Sequence, residues 1–268
     1  SNYNIRSHWK MQKQISFLSG TFRCGTSLLR SVINQNPNFH MTPNSIIPSI
    51  VWLLNRYKQE SDYKNWVNVD VDKQYPNNEQ YYDNIIENTF DNYFSQHKEK
   101  YILEQGFWGA PENFDLLKKY GFLPAKFIML VRPLEEILQS WIRVENISND
   151  LVSTFCDSLM QPKGQIGQAV LSLNFLIKHY KKNLLIVKYK NLCSNPKKTI
   201  KGIYDFLDIP YYKSHKFTNL DQVDNKNSTH TTLRTDKIER KTYNNKIKIP
   251  SLILKKYNTE NNLFKKYE

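Results

Sequence analysis

The sequence predicts an α/β fold: a single domain with a central parallel sheet flanked by helices and a P-loop-like phosphate cradle. Three observations predict it. Apolar runs at Ile15, Phe17 and Leu18 and at Phe127–Val131 have the continuous pattern of strands covered on both faces. Each run passes through a turn into a stretch with apolar residues at helical spacing. The first turn is bounded by Gly20 and Gly25, which let the backbone bend sharply and approach a ligand closely.

The cradle comes first in the chain. Ile15 to Pro37 reads ISFLSGTFRCGTSLLRSVINQNP. Thr26 and Ser27 are expected to cap the helix that follows, and its free N–H groups attract anions. Leu28, Leu29, Val32 and Ile33 form that helix's apolar face. The frame matches a Walker loop, G-x-x-x-x-G-K-[ST], except that Thr26 stands at the lysine position. A triphosphate enzyme needs that lysine at the β- and γ-phosphates. Arg23 is the only strong cation inside the loop, so the loop suits a phosphate ester without a γ-phosphate.

The segment from about Ser45 to Gln96 is helix-forming and aromatic-rich, with turn signals from Asp70 to Asn78. Most of its aromatics are expected in helix core. A strand is expected at Tyr101–Glu104, ending at Gly106, and a short helix at Phe114–Tyr120. After the Phe127–Val131 strand, Arg132 stands at the carboxyl edge, where open α/β sheets bind ligands. Pro133 suits the first turn of the next helix, Glu135 and Glu136 complement its positive end, and Ser140 follows on the same helix. Val152–His179 reads as helix with a break at Gln161–Gly164, Leu184–Val187 as strand and Asn195–Leu207 as helix. The polar tail from Thr218 to Lys248 reads as loop.

Composition narrows the function classes. The 268 residues suffice for one large core. No run of about twenty apolar residues offers a membrane span, and the polar start, SNYNIRSHWKMQKQ, lacks an apolar signal core. Cys24, Cys156 and Cys193 show neither metal-ligand nor disulfide spacing, and the six histidines form no zinc pattern, so a cytoplasmic protein without a metal is expected. The net charge of +13 attracts phosphates. The lysines are dispersed, however, which reads as a solvated basic surface rather than a nucleic-acid site.

Taken together, the cradle and the strand–Arg–Pro–helix–Ser segment resemble the sulfotransferase family. A third stretch, IVKYKNLCSNP at Ile186–Pro196 with IYDFLDIP at Ile203–Pro210, adds to the likeness, which runs in order from Ile15 to about Pro210. The R-C-G-T-S-L-L-R string is nearer to bacterial and tyrosylprotein-type members than to cytosolic ones, which carry lysine at the position of Arg23. The resemblance implies a sulfuryl transfer from 3′-phosphoadenosine-5′-phosphosulfate (PAPS) to a hydroxyl or amine, leaving adenosine 3′,5′-bisphosphate. It assigns Arg23, Cys24, Gly25, Thr26 and Ser27 to the 5′-phosphosulfate, Arg132 and Ser140 to the 3′-phosphate, and Tyr189 to the adenine. It makes residues 45–96 the acceptor-site region and residues 218–248 a nucleotide-covering loop, with Arg234 and Lys237 as its phosphate contacts.

The reaction needs charge stabilisation, which suits Arg23 and the loop N–H groups, and a base for the acceptor. The glutamate that tyrosylprotein-type members place after the cradle helix falls at Asn44, which cannot act as a base. Glu104, at a strand's carboxyl end, is the favoured base, and His40, just beyond the cradle helix, is its rival. The readings from other classes are a P-loop nucleotide kinase and a non-catalytic basic nucleic-acid-binding protein.

Overall fold

Among the described residues, five short strands, all running in one direction, form a central sheet. The structure, a computed structural model, describes residues 13–20, 22–59, 78–218, 220, 238 and 248–267. The strands are β1 (Gln14–Leu18), β2 (Phe39–Met41), β3 (Tyr101–Gln105), β4 (Phe127–Val131) and β5 (Leu184–Lys188), in the order β2-β3-β1-β4-β5. All five residues of β4 are buried, as its unbroken apolar sequence requires in a sheet covered on both faces.

The connections between parallel strands are helical. The helix α1 (Thr26–Ile33) leads from β1 to β2; α2 (Ile47–Gln59) and α3 (Asn78–Ser95) lie between β2 and β3; α4 (Pro111–Lys119) links β3 to β4. Between β4 and β5 come α5 (Leu134–Val144), α6 (Val152–Met160) and α7 (Gln165–His179), the last two separated at the anticipated Gln161–Gly164 break. After β5 follow α8 (Tyr189–Ser194), α9 (Pro196–Leu207), α10 (Ser251–Lys256) and α11 (Asn258–Tyr267). Pro111 and Pro196 each open a helix, where a missing N–H costs nothing. The connection from β1 goes to one side of the sheet and that from β4 to the other, so the strand order switches between them. Ligand crevices of open α/β sheets form at such points.

One face of the sheet is filled by rings. Phe17 stacks on Phe127 at 5.4 Å between centroids and meets Trp108 at 5.5 Å. Phe90 of α3 lies 4.6 Å from Phe122 and 5.9 Å from Trp108. Phe90 and Phe94 are therefore core, as expected for the aromatic-rich segment, whereas Tyr57 is exposed. Tyr63 and Trp66 lie outside the described residues.

The foot of α1 is pinned by three successive amides. Asn34 accepts from Met41 N at 2.7 Å and donates to Met41 O at 3.2 Å. Gln35 accepts from Lys216 N at 2.7 Å and donates to Lys216 O at 3.0 Å. Asn36 donates to the Tyr204 hydroxyl at 3.1 Å, which also meets His215 Nε2 at 2.9 Å. These bonds tie down the turn that follows the helix and satisfy the amide of the buried Asn36.

Differences from the sequence expectations are local. β2 was not anticipated; with only three residues it has too little pattern to see. The expected Phe114–Tyr120 helix starts earlier, at Pro111, and the two terminal helices had no counterpart. The Thr218–Lys248 tail lies almost wholly outside the described residues.

Asp83 of α3 joins three elements. It accepts from Lys58 of α2 at 2.9 Å, Lys119 of α4 at 2.8 Å and the Tyr120 hydroxyl at 2.8 Å. Burial works to raise its pKa, but the hydrogen bonds from Lys119, Lys58 and Tyr120 outweigh it and hold the value at about 2. A depressed carboxyl pKa contributes stability that is present above the unfolded value and is lost as pH falls through the folded one. Asp83→Asn should therefore unfold at lower temperature than wild type at pH 7. The gap between the two melting curves should close on acidification from about pH 4 toward pH 2.

Candidate active site

The loop after β1 is built by close backbone contact. Ser19 N donates to Ile128 O at 2.9 Å, and a Cβ on Gly20 would lie 3.3 Å from the Leu130 backbone. Ser19 Oγ accepts from Gly109 N at 3.0 Å, which ties the turn after β3 to the turn after β1. The loop then reverses through two left-handed residues, Arg23 at φ 68° and Gly25 at φ 94°. A Cβ at Gly25 would meet the Tyr189 ring at 2.6 Å, so glycine is required there by both dihedral and space. Gly25 is also the residue preceding α1, and no side-chain hydrogen bond caps that helix. The capping expected of Thr26 and Ser27 is thus corrected: both lie inside the first turn, because the left-handed Gly25 starts the helix one residue before the hydroxyls. The uncapped end leaves the first-turn N–H groups for an anion. Cys24 is fully buried and Thr26 nearly so.

Three distant segments converge on this loop. Arg23 Nε donates to Ser140 Oγ of α5 at 3.0 Å. Arg132, which follows β4, donates from Nη1 to Arg23 O at 3.1 Å and from Nε to Glu136 at 2.8 Å. Its guanidinium lies 4.4 Å from the centre of the Tyr189 ring, the first residue after β5. Arg132 is 3% and Ser140 1% exposed. Ser140, expected beside Arg132, bonds to Arg23, and the loop carbonyl of Arg23 joins the two arginines. All of this stands at the β1/β4 switch point, over the carboxyl ends of the strands.

Beside it, Glu104 of β3 is fully buried. Its Oε2 accepts from the Tyr93 hydroxyl of α3 at 3.0 Å, while Oε1 has no hydrogen-bond partner. Burial pushes its pKa up to about 7; the Ser45 and Thr42 hydroxyls, Tyr93 and the Trp108 indole oppose the shift by favouring the charged form. Ser45 and Thr42 are in place because the chain leaving β2 runs along β3: Thr42 Oγ1 accepts from Gln105 N at 2.9 Å and Ser45 N donates to Gln105 O at 3.1 Å. Asn44 is exposed.

His40 stands elsewhere. On β2 it pairs with Ile102, nearer the amino end of β3 than Glu104, and its ring stacks on His97 at 5.0 Å. Burial lowers its pKa, Glu99 works to raise it and Arg30 adds to the lowering. The His97 ring in turn meets the edge of Tyr93 at 5.4 Å. Arg234 and Lys237 lie outside the described residues. The sequence reading did not single out Tyr93, Thr42 or Ser45, since their proximity to Glu104 depends on how α3 and the β2 exit pack. Among the described residues no group of three or more His, Cys, Asp or Glu side chains could hold a metal ion.

A raised carboxyl pKa destabilises the folded state as pH climbs from the unfolded value through the folded one, because the folded protein holds its proton longer. Wild type should thus lose on the order of 3 kcal/mol relative to Glu104→Gln between about pH 4.5 and pH 7. Urea unfolding of both proteins at pH 5 and pH 8 reads this directly; equal differences at the two pH values would show that Glu104 titrates normally.

Comparison with known proteins fits this architecture. A model of the sulfotransferase family matches residues 16–213. No curated protein matches the chain. Among solved structures, the sulfotransferase domain from the Synechococcus PCC 7002 olefin synthase superposes with a TM-score of 0.51 at 16% identity, over 92% of this chain and 94% of that one. Mouse sulfotransferase SULT7A1, solved in complex with PAP, gives a TM-score of 0.54 at 13% identity, over 100% of this chain and 95% of that one. Identities this low speak for the fold; the family match, which spans most of the sequence, speaks for the class. The chain belongs to the sulfotransferase family and is an enzyme of the sulfotransferase class.

Proposed function

We propose that this protein transfers a sulfuryl group from PAPS to a hydroxyl or amine acceptor, with its donor held at the β1/β4 crevice. The observation that carries the reading is the convergence of Arg132, Ser140 and Tyr189 on the loop that opens α1. The residues fit a nucleotide with two separate phosphates. The uncapped helix start and Arg23 suit one phosphate, and Arg132 stands a short span away for the other. Tyr189, held against Gly25 and under Arg132, offers an aromatic surface to the base. The lysine that a triphosphate would need is Thr26.

PAPS, when bound, supplies the sulfuryl group and departs as adenosine 3′,5′-bisphosphate. Arg23 and the N–H groups of Cys24, Gly25, Thr26 and Ser27 hold the 5′-phosphate and stabilise the charge that gathers on its oxygens. Arg132 and Ser140 take the 3′-phosphate. Glu104 accepts the acceptor's proton as the acceptor oxygen or nitrogen forms its bond to sulfur and the bond between sulfur and the phosphate oxygen breaks. A pKa near neutrality suits that task, since the group must be ionised before the step and protonated after it. Residues 45–96, which bring Tyr93 and Ser45 to Glu104, are the region proposed to receive the acceptor. The domain is proposed to comprise residues 1–268, with residues 218–248, including Arg234 and Lys237, as the loop that covers the nucleotide.

Two experiments test this. Calorimetry should give binding of adenosine 3′,5′-bisphosphate and far weaker binding of ATP–magnesium; Arg132→Ala, which removes a charge-assisted contact, should weaken the former by about 1.5–3 kcal/mol. Affinity equal to wild type would remove Arg132 from the site. Turnover, read as transfer of radiolabelled sulfate from PAPS to a panel of phenols, sugars and alkyl alcohols, should fall roughly 10²–10⁴-fold in Glu104→Gln with nucleotide affinity retained. If His40→Asn loses turnover and Glu104→Gln keeps it, the base is His40.

A further inference from the structure

The two oxygens of Glu104 are not equivalent. Oε2 is occupied by the Tyr93 hydroxyl at 3.0 Å, and Oε1 is buried without a hydrogen-bond partner. A buried acceptor atom left unsatisfied costs free energy, so a native structure that keeps one calls for an explanation. We propose that Tyr93 is the positioning residue of this site: by taking Oε2, it fixes the carboxylate and leaves Oε1 as the atom that receives the acceptor's proton. The inference rests on the reading of Glu104 as the base.

The surroundings of Tyr93 suit a fixed post. The ring packs edge-on against Phe94 at 5.1 Å and against His97 at 5.4 Å. The hydroxyl is itself kept protonated, because burial and the adjacent Glu104 charge both raise its pKa. It therefore donates and does not compete for the proton. The groups facing Glu104 from the other elements are few. Thr42 and Ser45 come from the chain leaving β2, Trp108 from the turn after β3, and Phe17 pairs with Glu104 from β1. None of these carries a charge. Beyond Tyr93, the His97 ring meets its edge at 5.4 Å and His40 stacks on His97. Among these described side chains Tyr93 is the titratable one, and its hydroxyl, with those of Ser45 and Thr42 and the Trp108 indole, favours the ionised form.

Carbon-13 NMR of protein carrying side-chain-labelled glutamate tests this without an acceptor. The Glu104 carboxyl signal is identified by its loss in Glu104→Gln. In wild type it should titrate near neutral pH. In Tyr93→Phe, which keeps the ring contacts, its midpoint should rise by about one unit, a tenfold drop in the ionised fraction at a given pH below both midpoints. The acid limb of the pH–turnover profile, measured by sulfate transfer from PAPS to the same acceptor panel, should move by the same amount. Binding of adenosine 3′,5′-bisphosphate by Tyr93→Phe should match wild type and so show that the fold is intact. An unmoved midpoint in a variant that binds the nucleotide normally overturns the role of Tyr93 and leaves the base reading standing. Turnover that survives in Glu104→Gln overturns the base reading and, with it, this proposal.

Discussion

The closeness of one loop to two neighbouring strand ends governs the rest of this molecule. The chain between Gly20 and Gly25 lies against the backbone of β4 and against Tyr189, with no room for a side chain at Gly25. That contact lets Arg132 reach a loop carbonyl and lets Tyr189 lie under its guanidinium. A looser loop would separate the two cations, and each would then face water in place of a shared crevice. Charges held together in a partly desolvated site act on an anion more strongly than the same charges in solvent. The cost is mutual repulsion among two arginines and the positive end of α1. Glu136 offsets part of this through its ion pair with Arg132.

Much of this could be read from the residue order. The unbroken apolar run at Phe127–Val131, and that at Ile15–Leu18 interrupted only by Ser16, suit strands covered on both faces. The cradle was legible because its glycines are tied to backbone geometry that side chains cannot reproduce. What stayed hidden depends on packing between distant elements. β2 is too short for its alternation to register. The bond between Arg23 and Ser140 joins residues far apart in sequence, and nothing in either local segment specifies it. The environment of Glu104 comes from four separate stretches, so its position at a strand end could be foreseen but not the partner that holds it. The helix start went the other way: hydroxyls at Thr26 and Ser27 suggested caps, while the left-handed Gly25 moved the boundary forward.

Two kinds of polar burial serve different ends in the same domain. Asp83 is nearly saturated with donors and acts as a clamp among α2, α3 and Tyr120. Glu104 is fully buried, with one oxygen bonded to Tyr93 and one not. Donors outweigh burial at Asp83 and burial outweighs the donors at Glu104, so one carboxyl is held at about 2 and the other at about 7. Trp108, which faces Glu104, is itself fully buried and packs on Phe90.

The amide row at the foot of α1 bears on the order in which the molecule is assembled. Asn34 holds β2, but Gln35 and Asn36 hold Lys216 and Tyr204, which lie more than 160 positions later. As the chain emerges during synthesis, the cradle helix can form early, yet its lower end has no fixed seat until Tyr204 and Lys216 have been made. The seat of α1 therefore depends on residues as far along the chain as Tyr204 and Lys216. The nucleotide site proposed at the other end of the helix depends, through that seat, on the whole fold from β1 to α9, and not on the cradle alone.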